Sequence, residues 1–282
     1  MPITIVNRQP KIYLIIIEEL GSDCLRLEVL VATMNQEDTQ LIERMNLQSD
    51  AIIINQTNHH DFQVVQKNQH TYKIYSFAER GVGLSRNTAL MRTQADFALI
   101  ADDDMVYVDG YPGLVKQQFD DYPDADLIIF NLEEVDSWRF ITKEAFTVNK
   151  FNYMRFGAAR IALRPNRIKE KGICFHLLFG GGTPHSNGED TIFLKDCLDK
   201  GLKIVAVPVT LAQLTEVRES TWFSGYTEKY YRDRGALFKA LSPKLYPLLI
   251  LQFIIRKYKK DQGMPSRKQQ LHYMLSGAKE DV

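Results

Sequence analysis

From residue 27 to residue 133 the chain alternates short apolar runs with stretches of helical period, and that alternation restricts it to an α/β fold. LEVLVAT (27–33) is continuous and rich in β-branched residues, as a strand covered on both faces requires. EDTQLIERMN (37–46) puts Leu41, Ile42 and Met45 on one helical face, with acids in the first turn where the helix dipole favours them. DAIIIN (50–55), TYKIYSF (71–77), ADFALIA (95–101) and DLIIFNLE (126–133) read as further strands, and GLSRNTALMRTQA (83–95) as a helix. Such alternation implies right-handed crossovers and a Rossmann-like, mostly parallel central sheet flanked by helices. Ligands of these sheets bind beyond the carboxyl ends of the strands. Thr33 and Asn35 follow the first strand, and Asn55 and Gln56 the second.

Two acid groups complete the pattern. LIADDDMVY (99–107) sets Asp102, Asp103 and Asp104 at the mouth of an apolar strand. In extended backbone Asp102 and Asp104 share one side and Asp103 points away. Clustered carboxylates repel unless a cation or hydrogen-bond donors compensate, and Mg²⁺ or Mn²⁺ takes oxygen ligands and completes its shell with substrate phosphates. The plainer alternative is a solvated turn with an Asp cap. NGEDTIFLKDCLDKG (187–201) opens a helix at Asn187 or Gly188, with Ile192, Phe193, Cys197 and Leu198 as its apolar stripe and Gly201 as its stop. Glu189 and Asp190 then lie in the first turn, where acids also serve the dipole alone. The preceding FGGGTPHS (179–186) predicts a mobile glycine-rich loop able to close over a substrate beside a general base.

Composition excludes several classes. With 282 residues, 45% of them hydrophobic, the chain builds one large domain, or one domain with an appendage, and is not disordered. Lys+Arg and Asp+Glu balance at 35 each, so global charge makes no case for nucleic acid. Three cysteines (Cys24, Cys174, Cys197) without paired spacing fit a reducing compartment, hence a cytoplasmic protein. The N-terminal run Ile12–Ile17 is followed by Glu18 and Glu19 and is no secretory signal. Apolar runs stay below the roughly 18 residues of a spanning helix.

LEVLVATMNQ, AIIINQTN, GVGLSRNTAL, IADDDMVY and NGEDTIF together resemble the ordered motifs of family 2 glycosyltransferases with the GT-A fold, over roughly residues 27–210. The resemblance implies a metal-dependent, inverting transfer of a hexosyl or N-acetylhexosaminyl group. The donor is a nucleotide diphosphate, usually UDP-linked, and the acceptor a hydroxyl. Within the family the chain is similar to bacterial enzymes that build capsular or exopolysaccharide repeat units on a lipid carrier, also through STWFSGYTEKYYRDRGAL (220–237). It divides the chain into an N-terminal extension (1–26), a catalytic domain (27–215) and a C-terminal helical region (216–282). By the same resemblance Thr33 and Asn35 contact the nucleotide, and Arg86 approaches the base or diphosphate. Asp103 contacts ribose, and Asp104 binds the metal with Asp102 at the other end of the DxD. Asp190 is the catalytic base, with Glu189 beside it for acceptor hydroxyls. Asn55 and Gln56 stand where the family more often has acids that read uracil. An amide still accepts from N3–H and donates to a carbonyl, but uracil specificity becomes less strict.

The remaining features are weaker. His59 and His60 have no third ligand at metal spacing and read as a solvated pair. His176 and His185 flank the glycine loop, where His185 is a candidate for acceptor binding. Trp222 either stacks on an acceptor sugar or packs. Arg218, Arg232 and Arg234 are candidates for a diphosphate contact against an ordinary surface role. The triple glycine is no phosphate loop, because no GK[ST] follows. YTEKYYRDRGALFKAL (226–241) and LYPLLILQFIIRKYKK (245–260) read as helices, the second with a basic end suited either to a membrane surface or to a solvated tail. A nucleotidyltransferase acting on a sugar phosphate would want a glycine-rich, basic N-terminal loop, which MNQEDTQ is not. A non-catalytic glycan- or lipid-binding scaffold would have no use for Asp104 and Asp190.

Overall fold

The computed structural model describes residues 25–133, 140–215, 225–257 and 264–280. Ten strands form one sheet: β1 (Leu27–Met34), β2 (Asp50–Gln56), β3 (Asp61–Lys67), β4 (His70–Phe77), β5 (Phe97–Asp102), β6 (Met105–Tyr107), β7 (Leu127–Glu133), β8 (Phe146–Thr147), β9 (Ile161–Leu163) and β10 (Ile204–Leu214). Their order is β3-β4-β2-β1-β5-β9-β7-β10-β6, with β8 on β10. β4, β2, β1 and β5 pair in parallel, as do β7 and β10. The three-residue β9 runs antiparallel to both β5 and β7, so all six of those strands point the same way. The mostly parallel α/β sheet expected from the alternation is present.

Both faces of the sheet are covered, and residue parity within the strands shows it. Val29, Val31, Ile53 and Leu99 face one core, which α1 (Leu41–Arg44) and α3 (Tyr111–Asp121) close with Leu41, Tyr111 and Phe119. Leu30, Ile52, Ile54 and Ile100 face the other, closed by α2 (Val82–Arg92), α4 (Pro165–Glu170) and α5 (Glu189–Asp199) through Leu90, Ile168, Phe193 and Cys197. A third cluster joins α6 (Glu228–Leu241), α7 (Tyr246–Lys257) and α8 (Arg267–Gly277) to Phe179 and Ile192 of the main body. No helix among the described residues is long and apolar enough to cross a membrane.

Two expected helices are shorter than their periodicity predicts. The segment 37–46 is helical only over α1, because Asp38 accepts the Gln40 N–H at 2.9 Å in an Asx turn that delays the helix. α2 ends at Arg92 rather than 95, where Thr93 turns extended and its hydroxyl donates to the buried Glu28 carboxylate.

Candidate active site

The floor of the site is the row of strand ends. Thr33 lies opposite Asn55, Met34 opposite Gln56, Asn55 opposite Ser76, and Asp102 opposite Ala32. Asn55 is buried and uses both ends of its amide on one residue. Its Oδ1 accepts the Gln36 N–H at 3.0 Å and its Nδ2 donates to the Gln36 carbonyl at 2.9 Å. That clamp fixes the β1–α1 loop, in which Asn35 takes the left-handed region (φ 51°) and donates its N–H to the Gln56 carbonyl. Gln56 is also buried, and its Oε1 accepts the Gly81 N–H at 2.7 Å, tying the second strand end to the start of α2.

The three aspartates do not share an extended strand. β5 ends at Asp102, and Asp103 and Asp104 form the turn into β6. The expected alternation along one extended strand is therefore replaced by a strand end followed by a turn. Asp102 accepts from Arg86 Nη2 at 2.8 Å. Asp103 accepts from the Thr33 hydroxyl at 2.6 Å and from Gln36 Nε2 at 3.3 Å. Asp104 holds the end of the described β10 region through its carbonyl, which accepts from the Thr215 N–H at 2.8 Å and from its hydroxyl at 3.0 Å.

Arg86 joins the two acid groups. It is 4% exposed, and Nη1 donates to Glu189 at 2.7 Å while Nη2 reaches Asp102. Burial opposes the guanidinium charge, but Asp102 and Glu189 outweigh it and push Arg86 above its ordinary value. Phe175 lies under the guanidinium, 5.5 Å from ring centroid to Cζ. Arg86 is thus the cation between the strand-end acid Asp102 and the helix-start acid Glu189.

Asp190 sits in the first turn of α5, two positions after Gly188. Gly188 has φ 120°, and a Cβ there would come 2.7 Å from Leu237 Cδ1, so only glycine lets the helix start this close to α6. Asp190 Oδ1 accepts the Thr191 N–H at 2.6 Å. Burial first, and then the neighbouring Glu189, raise the Asp190 carboxyl to about 6 against the opposing pull of Arg86. A carboxyl group with that value at a helix start is suited to take a proton near neutral pH.

The FGGGTPHS stretch is a compact loop rather than an open flap. Gly180 N–H donates to the His185 carbonyl at 2.8 Å, and the Thr183 hydroxyl lies 2.8 Å from the Gly180 carbonyl and 3.0 Å from that of His185. Val82 N–H donates to the Gly181 carbonyl at 3.0 Å, which ties the loop to α2. His185 is buried, with its ring stacked on Phe179 at 4.7 Å and Nδ1 3.3 Å from Asp233. Asp233 also accepts from the Ser186 N–H and hydroxyl and from Lys229. Trp222 and Arg218 lie outside the described residues.

Hydrogen bonds through Gln36 link Thr33, Asn55 and Asp103, with Asn35 on the Gln56 carbonyl beside them, and Arg86 links Asp102 to Glu189, next to Asp190. The residues come from three strand ends (β1, β2 and β5) and from α2 and α5. Sequence reasoning missed Gln36 and Asp233. Gln36 was visible as the polar residue next to Asn35, whereas Asp233 lies in a helix whose acids and bases look like an ordinary solvated face. Among the described residues no group of three or more His, Cys, Asp or Glu is spaced to hold a metal. The available donors are carboxylate oxygens, the type a hard divalent cation takes, and a shell would need oxygens from a bound phosphate.

No protein-family model and no curated protein matches the chain. Solved structures do. S. aureus TarS 1–349 in complex with UDP-GlcNAc superposes with a TM-score of 0.59 at 15% identity, covering 88% of this chain and 79% of that one. The complex of the same fragment with UDP gives 0.54 at 16% identity, covering 85% and 74%. A longer S. aureus TarS structure gives 0.57 at 15% identity over 84% of this chain, which spans only 44% of that one. Likeness at this identity shows the fold alone, a mostly parallel α/β sheet flanked by helices of the GT-A-like kind.

Proposed function

We propose that the protein is an inverting glycosyltransferase that moves a hexosyl or N-acetylhexosaminyl group from a nucleotide diphosphate donor to an acceptor hydroxyl. UDP-sugar is the expected donor, and the acceptor is a glycan or lipid-diphosphate-linked sugar in bacterial surface polysaccharide synthesis. The observation that carries the reading is Asp190, a carboxyl group raised to about 6 at the start of α5 and linked through Glu189 and Arg86 to the strand-end acid Asp102. The likeness to TarS bound to UDP-GlcNAc and to UDP supports a nucleotide-sugar donor.

In this reading Asn55 and Gln56 line the nucleobase side and Asp103, with Thr33, the ribose side. The acceptor oxygen attacks C1 of the donor sugar from the face opposite the diphosphate. The new C1–O bond forms as the bond to the β-phosphate oxygen breaks, its electron pair leaving with the nucleoside diphosphate. The acceptor proton passes to the Asp190 carboxylate. Asp104 and diphosphate oxygens are the set we assign to Mn²⁺ or Mg²⁺. Asp102 is the second candidate, with Oδ1 already engaged by Arg86. A cation bound there would offset charge on the leaving diphosphate.

A panel of UDP-sugars with Mn²⁺ tests the proposal. One or a few donors should raise the melting temperature and undergo slow hydrolysis or transfer, with the effect lost in EDTA. Absence of stabilisation and of hydrolysis with every nucleotide sugar would remove the proposal.

A further inference from the structure

α7 is apolar on two sides. Ile250 and Ile254 are buried in the cluster shared with α6 and α8, as a packing helix requires. Yet Leu245, Leu248, Leu251 and Ile255 are 56%, 63%, 51% and 63% exposed. Leu248, Leu251 and Ile255 follow one another at three- and four-residue spacing, so they make a single stripe on the helix side away from Ile250 and Ile254. Single exposed leucines are ordinary, but a row of them on one helix marks a surface that something covers.

The charges around the stripe select what covers it. Lys244 precedes α7 and Arg256 stands near its end, and both are exposed. From Arg234 to Lys260 the sequence carries no acidic residue at all. A protein surface of mixed charge would find no complement here, whereas an anionic sheet of headgroups over an apolar layer matches both the cations and the stripe. α7 has 12 residues, about 18 Å of helix, against roughly 30 Å of hydrocarbon, so it would lie along the interface and not cross it.

We propose that α7 docks the protein on an anionic bilayer surface. Leu248, Leu251 and Ile255 enter the boundary between headgroups and acyl chains, and Lys244 and Arg256 meet lipid phosphates. The proposal rests on α7 alone and holds whatever reaction the strand-end site performs.

Sedimentation with vesicles of phosphatidylcholine, with and without phosphatidylglycerol, tests it on the full chain. The protein should pellet with the anionic vesicles at low salt, bind the neutral ones weakly, and come off in part as salt rises. Leu248→Glu with Leu251→Glu should weaken binding at least about tenfold. Lys244→Gln with Arg256→Gln should weaken it for anionic vesicles only. Circular dichroism and size exclusion accompany each variant, and the charge pair keeps the test open should the glutamate pair unfold. Wild-type protein that stays in the supernatant, or variants that pellet like wild type, would overturn the proposal. So would a wild-type dimer that ignores vesicles and dissociates on the leucine substitutions, since the stripe would then be a contact between two copies.

Discussion

Asp190 combines two properties that pull stability and activity in opposite directions. Its carboxyl is raised from an ordinary 3.8 to about 6, by burial and then by Glu189. The folded protein therefore holds this proton more tightly than the unfolded chain between those two values. The stability it contributes is full below the lower one and is lost as pH rises through about 6. A base must be deprotonated, so kcat/KM for transfer should rise through that same region. Asp190→Asn should lower transfer by at least about 10²-fold, leave donor affinity nearly unchanged, and flatten the melting temperature between pH 4 and pH 7. If donor affinity falls as far as turnover, Asp190 serves the donor and its role is misassigned. The acids were legible because residue type and position at a strand or helix end are sequence properties. Their partners were not: Arg86 and Glu189 are separated by 103 positions, and only the folded sheet brings them to 2.7 Å.

At the scale of elements, the α6–α8 crossing is set by two glycines. A Cβ added to Gly235 would overlap the Met274 carbonyl oxygen, and one added to Gly277 would overlap that of Arg232. Both neighbours are backbone atoms, which have no rotamer by which to step aside. Alanine in the middle of α6 would otherwise help, since glycine costs about 1 kcal/mol there in helix propensity. Overpacking against backbone, at the upper end of about 1–3 kcal/mol, should outweigh that gain, so Gly235→Ala is expected to destabilise by about 1–2 kcal/mol net, read as a lower melting temperature. An unchanged or higher melting temperature would mean that the two helices part without penalty. Five of the six co-directed strands (β1, β2, β4, β5 and β7) and α2, α5, α6 and α7 were legible from apolar runs and helical period, whereas β10 was not read from the sequence. β3 was not, because DFQVVQK is an exposed edge strand with little apolar signal. β9 has only three residues, and its insertion between β5 and β7 depends on pairings that no local pattern encodes.

Across the whole molecule, one buried carboxylate of the C-terminal helices gathers the hydrogen bonds that hold the loop before α5. Asp233 of α6 is 2% exposed and accepts from the Ser186 N–H at 3.0 Å, the Ser186 hydroxyl at 2.6 Å and Lys229 at 2.8 Å, with His185 Nδ1 at 3.3 Å. Burial alone would raise this carboxyl, but the hydrogen bonds from Lys229 and Ser186 outweigh it and hold it below its ordinary value. Ser186 lies two positions before Gly188, against which Leu237 of the same α6 packs, and Glu189 and Asp190 follow at once. The geometry of the proposed base thus depends on where α6 stands. Asp233→Asn keeps the shape but loses the charge facing Lys229, so the 180–188 loop should loosen while the strand-end site stays intact. Turnover should fall between about 10- and 100-fold with donor KM little changed, the scale on which a small misplacement acts. Amide hydrogen exchange should rise over 180–188 and stay unchanged in β1, β2 and β5. A fall in turnover with no change in exchange over that loop would show that Asp233 acts by some other route than holding it.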